Sequence, residues 1–204
     1  MEKILRLGFL ASGRGSNLQA ILQACRDGRL RAVPAVVISN NADSGALALA
    51  GREGLPACHL SGKTHPDPVA LDEAIAAALQ KHAVDLVVLA GYMKRIGPVT
   101  LRAYHHRIIN IHPALLPQHG GEGMYGLAVH EAVIKSGAKE TGATVHLVEE
   151  EYDNGLILAQ RRVPVHRDDT AASLAARVLE TEHALYVDVL RDIIEGAIQL
   201  PVRL

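Results

Sequence analysis

Asp85-Leu86-Val87-Val88-Leu89-Ala90, closed by Gly91, is the stretch on which the fold turns. Four consecutive apolar side chains without alternation belong to a strand covered on both faces, and such strands occur in parallel sheets flanked by helices. Upstream, Ala70 to His82 carries Leu71, Ile75, Ala78 and Leu79 at helical spacing. Downstream, a short helix is predicted over Pro98 to Tyr104 and another strand over Arg107 to Ile111. The alternation reaches back to the start of the chain. A strand over Ile4 to Ala11 is followed by a helix with Leu18, Ile21, Leu22 and Cys25 on one face, ending near Gly28. Val33 to Ser39 reads as the second strand, an Ala-rich helix ends about Gly54, and His59 to Pro68 reads as a loop.

The second half follows the same grammar until its last third. Ala114 to Gly126 is a glycine-rich loop, and Tyr125 to Ser136 is a predicted helix stopped by Gly137. Ala143 to Val148 and Ile157 to Val165 flank Asp153-Asn154-Gly155, and Asn-Gly between apolar runs is a strong hairpin signal. A long helix spans about Thr170 to Gly196, opened by Asp168-Asp169-Thr170 as cap and dipole complement. The tail from Gln199 to Leu204 is expected to be loosely held. The expected class is therefore α/β: one domain over 1–204, a mostly parallel twisted sheet with helices on both faces, and a hairpin in the carboxy-terminal half.

Composition narrows the function classes. The 204 residues are 49% hydrophobic and 21% charged, which excludes a disordered chain. Lys plus Arg (21) nearly balances Asp plus Glu (22), so the basic field that nucleic-acid binding needs is missing. Five Tyr, one Phe and no Trp make a base-stacking surface an unpromising reading. No apolar run reaches the ~18 residues of a membrane span. The start, Met1-Glu2-Lys3-Ile4-Leu5-Arg6, lacks a signal-peptide layout, and a cytoplasmic protein is expected. Cys25 and Cys58 give no disulfide framework, and the eleven His include no metal-ligand spacing, so no metal is expected.

Two stretches carry candidate chemistry. Ser12-Gly13-Arg14-Gly15-Ser16-Asn17 joins a strand to a helix. Its glycines allow an anion close to the backbone at a helix N-terminus, although the same turn also serves as a plain connection. In Asn110-Ile111-His112-Pro113, alternation puts Asn110 and His112 on one side at the carboxyl end of a strand, where open α/β sheets bind ligands. Imidazole moves protons near neutral pH and a carboxamide N–H holds a developing oxyanion. A capping Asn and a satisfied His are the alternative. Asp153 alone is ordinary turn chemistry, Glu149 to Glu151 read as a solvated acidic edge, and Cys25 reads as a small core residue.

Taken together, the ordered set resembles one family. Ser12–Asn17, Leu89-Ala90-Gly91-Tyr92-Met93, Ile109–Pro117, Thr141-Gly142-Ala143-Thr144-Val145-His146 and Tyr152-Asp153-Asn154-Gly155 are similar to the folate-dependent glycinamide ribonucleotide formyltransferases of purine synthesis. The likeness covers nearly the whole chain. It implies a Rossmann-like formyltransferase fold and transfer of a formyl group from 10-formyltetrahydrofolate, as co-substrate, to the amine of glycinamide ribonucleotide.

The resemblance also implies roles. Asn110, His112 and Asp153 match the catalytic trio. Gly15, Ser16 and Asn17 match the ribonucleotide phosphate turn, and Glu182 matches the residue that meets the substrate amine. Met93, Lys94, Arg95, Ile96, Asn110, Glu149, Glu150, Glu151, Tyr152 and Asp153 match the folate-contacting segments. The amino-terminal part would bind the ribonucleotide and the carboxy-terminal part the folate. Three places depart from the family: Pro68 stands where many members have Arg, Lys94-Arg95-Ile96-Gly97 alters the usual run, and Gly120–Gly126 replaces a Pro-Gly loop. An ionised Asp153 is expected to raise the pKa of His112, so that a protonated His112 joins Asn110 as a donor to the oxyanion. The expected partners are the two small molecules, with no nucleic acid and no membrane, and the chain acting as monomer or homodimer. Transfer to another acceptor, hydrolysis of the formyl-folate, and a non-catalytic binding module stay open as alternatives.

Overall fold

Leu86–Leu89 is strand β4, the middle strand of the sheet, and its four residues are all buried. Leu86 and Val88 pack with Leu7, Phe9, Ile109 and Ile111 in one core, while Val87 and Leu89 pack with Leu10, Ile38, Ile75 and Ile108 in the other. That division is why the strand shows no alternation: each face meets its own layer of helices.

The computed structural model describes residues 4–202. Around β4 the strands are β1 (Leu5–Ala11), β2 (Ala32–Ser39), β3 (Ala57–His59), β5 (Ile108–His112), β6 (Glu140–Leu147) and β7 (Ile157–Pro164). The helices are α1 (Ser16–Arg26), α2 (Gly45–Arg52), α3 (Pro68–Lys81), α4 (Pro98–Ala103), α5 (Leu127–Lys135) and α6 (Ala171–Ile194). Among the described residues the sheet has seven strands in the order β3-β2-β1-β4-β5-β6-β7. β1 to β5 pair in parallel; β6 runs antiparallel to both β5 and β7. Helices α1, α2 and α6 contribute to one core and α3 to the other, so helices cover both faces as expected. The fully buried Tyr186 of α6 reaches through its layer to donate its hydroxyl to the carbonyls of Leu89 (3.1 Å) and Ile109 (3.0 Å).

Several boundaries differ from the expectation. Ala57–His59 is a strand against β2, whereas the sequence suggested only a loop beginning at His59; three residues offer no period to detect. β6 begins at Glu140 because its pairing with β7 extends to Glu140 opposite Pro164. α5 begins at Leu127, since Gly126 (φ 58°, ψ −138°) breaks the helical path before it. The tail is held further than expected: Ile198 N–H donates to Asp192 O, and Arg107 donates to Pro201 O. The expectations placed on Met1, Glu2, Lys3, Arg203 and Leu204 lie outside the described residues. Among the described residues, no helix is long and apolar enough to cross a membrane.

Candidate active site

β1 and β4 are neighbours, yet β1 leads on to β2 on one side and β4 to β5 on the other. A crevice opens beyond the carboxyl ends of strands at such a switch point. The two segments leaving it are tied together. Ser12 N–H donates to Gly91 O (2.9 Å), and Met93 N–H donates to Ser12 Oγ (2.8 Å). Gly15 is left-handed (φ 80°) immediately before α1, and a Cβ there would stand 3.0 Å from Ala46 Cα. The glycine is therefore required by packing against α2 as well as by the turn. Asn17, buried in the first turn of α1, donates through Nδ2 to Glu182 Oε2 of α6 at 2.9 Å.

β5 supplies the other wall. Asn110 and His112 share a face, and the antiparallel register sets His146 opposite Asn110 and Thr144 opposite His112. Thr144 Oγ1 donates to Ala114 O (2.6 Å) and accepts from Leu116 N–H (3.1 Å), which fixes the chain just after His112. His146 Nδ1 bonds Leu147 O at 2.8 Å; a carbonyl only accepts, so Nδ1 carries the hydrogen. In the neutral ring, Nε2 then accepts from Asn110 Nδ2 at 3.1 Å. Asp153 reaches in from the β6–β7 turn. Its Oδ2 lies 3.4 Å from His112 Nδ1 and accepts from Gly121 N–H (2.9 Å), while Oδ1 lies 3.5 Å from His146 Nε2. Asp153 has φ 53°, a left-handed conformation that Asp tolerates, and at Gly155 a Cβ would collide with the Leu147 carbonyl.

Electrostatics follow from burial. His112 is 3% exposed, and that desolvation pulls its pKa below the ordinary imidazole value against the opposing attraction of Asp153. The expected rise is thus reversed: the carboxylate is close, but loss of water outweighs it. Burial pushes the Asp153 carboxyl upward, yet the His146 ring beside it, the His112 charge and the Gly121 N–H together hold it below its usual range. Glu182 is pushed up to about 7 by burial, with the Asn17 bond pulling the other way. His130 of α5 is also buried and lowered, and its Nδ1 has no hydrogen-bond partner.

A cavity of about 890 Å³ gathers most of these groups. Arg14, Asn17, Met93, Lys94, Asn110, His112, Tyr152, Asp153 and Glu182 all line it, together with His130 and the Gly121–Leu127 loop. Other expected contacts stand elsewhere. Ile96 is a core residue, 5% exposed. Arg95 lines a neighbouring cavity with Lys63 and Asp72, and Glu149, Glu150 and Glu151 line a third with Arg102 and His105. Gly15 and Ser16 form the turn behind Arg14 and Asn17. The sequence reading gave no role to His146, although its parity with Thr144 on a predicted strand was a usable signal. It likewise passed over His130 and Arg14. Among the described residues, no group of three or more His, Cys, Asp or Glu is placed to hold a metal ion.

Comparison with known proteins follows the same lines. A family model described as formyl transferase matches residues 5–190. Phosphoribosylglycinamide formyltransferase, chloroplastic, of Vigna unguiculata is 45% identical over 194 residues, covering 95% of this chain and 62% of that protein. The chain thus spans a little under two thirds of that relative's length. Phosphoribosylglycinamide formyltransferase of Haemophilus influenzae is 39% identical over 195 residues, covering 96% of this chain and 90% of that one. The crystal structure of glycinamide ribonucleotide transformylase 1 from Symbiobacterium toebii superposes with a TM-score of 0.90 at 42% identity, covering 98% and 92% of the two chains.

Proposed function

The chain belongs to the formyl transferase family, and from that premise we propose that it moves the formyl group of 10-formyltetrahydrofolate to the amine of glycinamide ribonucleotide, a step of purine synthesis. The observation that carries this reading is one cavity with Asn110, His112 and Asp153 at one wall, His146 behind them against Asn110 and Asp153, and Asn17 with Glu182 at the other wall.

The chemistry needs what those walls offer. The amine nitrogen attacks the formyl carbon, a C–N bond forms, and the carbonyl π pair moves onto oxygen. Collapse restores C=O and breaks the bond to folate N10, which takes a proton as the new amide nitrogen loses one. Asn110 is the proposed oxyanion donor, through the amide hydrogen not directed at His146. A neutral His112 takes up the proton from the attacking nitrogen and returns it to the departing folate N10, and the Asp153 carboxylate 3.4 Å from Nδ1 stabilises the imidazolium formed in between. Gly15, Ser16 and Asn17 hold the phosphate at the N-terminus of α1, and Glu182 meets the amine. Met93, Lys94, Tyr152 and Asp153 border the folate. The amino-terminal part of the domain thus serves the ribonucleotide and the carboxy-terminal part the folate. The proposed setting is the cytoplasm, with the chain acting as monomer or homodimer.

The test is formyl transfer by Asn110→Ala and His112→Ala. Loss of an oxyanion donor costs about 3 kcal/mol, roughly 100-fold or more in rate. Near-normal turnover by both variants would overturn these roles.

A further inference from the structure

Arg95 is the residue of the family-matched segments that lies outside the cavity and yet touches the loop bearing Asp153. Its Nη2 donates to the carbonyl of Glu150 at 2.5 Å, and its guanidinium carbon lies 5.8 Å from the centre of the Tyr152 ring. Glu150 and Tyr152 sit just before Asp153, and Tyr152 lines the catalytic cavity while Arg95 lines the one beside it. The guanidinium is mounted on a firm base. Ile96 beside it is buried in the core, and Asp72 of α3 accepts from Val99 and Thr100 at the start of α4. The loop is less well supported. Besides Arg95, the recorded ties of 149–152 among the described residues are His106 to Glu149 at 3.8 Å and Asn154 to Glu151 within the loop itself.

We propose that Arg95 is a positioning residue: it clamps the Glu149–Asp153 loop to the segment after β4, and so sets where the Tyr152 ring and the Asp153 carboxylate stand against the formyl donor. Arg suits this task. Its planar fork bonds a carbonyl while its face lies over an aromatic ring, a combination that Gln lacks and Lys meets only in part. The proposal rests on the formyl-transfer reading for its kinetic consequences and on geometry alone for its structural ones.

The experiment combines hydrogen exchange with steady-state kinetics on Arg95→Gln, Arg95→Lys, Tyr152→Leu and the double variant Arg95→Gln/Tyr152→Leu. The clamp predicts faster amide exchange across 149–155 in Arg95→Gln with an unchanged melting temperature, because the residue is exposed. KM for the formyl donor should rise about three- to tenfold, a fraction of the full worth of the lost contacts because Arg95 acts on the donor only through the loop, with KM for the ribonucleotide held within about twofold. Arg95→Lys should recover part of both effects. The double variant should fall short of the sum of the two single losses, since the Arg95–Tyr152 contact is counted in both while the Glu150 bond and the ring's own place in the cavity are each counted once. Additive losses, a raised donor KM with unaltered exchange, or no change in either readout would each overturn the clamp. Faster exchange in a protein that transfers no formyl group would leave the clamp standing and remove the functional reading instead.

Discussion

Asn17 Nδ2 and Glu182 Oε2 meet at 2.9 Å, joining the first turn of α1 to the middle of α6 across 165 positions of sequence. Both residues are more than nine-tenths buried, and Asn17 Oδ1 has no partner. The pair fixes one wall of the cavity and gives it a carboxyl group poised between its charged and neutral forms, at about 7.

A pH effect on stability follows. A carboxyl whose folded pKa is raised binds protons more tightly in the native state, so its stabilising contribution is complete below its ordinary range and is lost as pH rises through about 7. The size is about 3 kcal/mol, at 1.4 kcal/mol per unit. The lowered His112, His130 and His183 act in the opposite direction. The comparison must therefore be made against Glu182→Gln. Urea denaturation at pH 5 and pH 8 should show the wild-type protein losing more stability than the variant over that interval. An equal change in both would contradict the burial argument.

The phosphate turn is best tested at Ser16 and not at Gly15. A side chain at 15 would be strained at φ 80° and would press on Ala46, so it would unfold the turn whether or not a phosphate binds there. Ser16→Ala leaves the backbone intact. Loss of one hydrogen bond to a charged ligand, ~1.5–3 kcal/mol, should raise KM for the ribonucleotide roughly tenfold or more and leave KM for the folate unchanged. Equal weakening of both would take the turn out of the site.

Much of this architecture was legible because each element carried a local signal. The unbroken apolar run of β4, the Asn-Gly turn at Asn154 and the cap at Thr170 all speak through a few adjacent residues. Asn110 and His112 were legible for the same reason, as alternate positions of one strand. What could not be read was set by distant pairing. His146 faces Asn110 only through the register of β6 on β5, and Arg95 meets Tyr152 only because tertiary folding brings the β6–β7 turn against the segment after β4. The direction of the His112 shift was misread because proximity to Asp153 is a matter of motif, whereas desolvation depends on everything packed around the ring.

Asp153 should leave its mark on the pH dependence of the rate. Its charge opposes the lowering of His112, so Asp153→Asn lets the His112 pKa fall further. If His112 acts as a neutral proton acceptor, the acid limb of kcat/KM lies below the ordinary histidine value in the wild-type protein and moves to still lower pH in Asp153→Asn. The rate on the plateau should drop on the order of 100-fold or more. A limb that moves to higher pH would mean that Asp153 does not act through the imidazole.

The most direct test of the central claim is formyl balance with the purified protein, 10-formyltetrahydrofolate and glycinamide ribonucleotide, following formylated ribonucleotide and released tetrahydrofolate together. The account predicts that they appear in a one-to-one ratio and that tetrahydrofolate release all but stops when the ribonucleotide is withheld. Tetrahydrofolate released at the same rate without the ribonucleotide, or no formylated ribonucleotide at all, would contradict it.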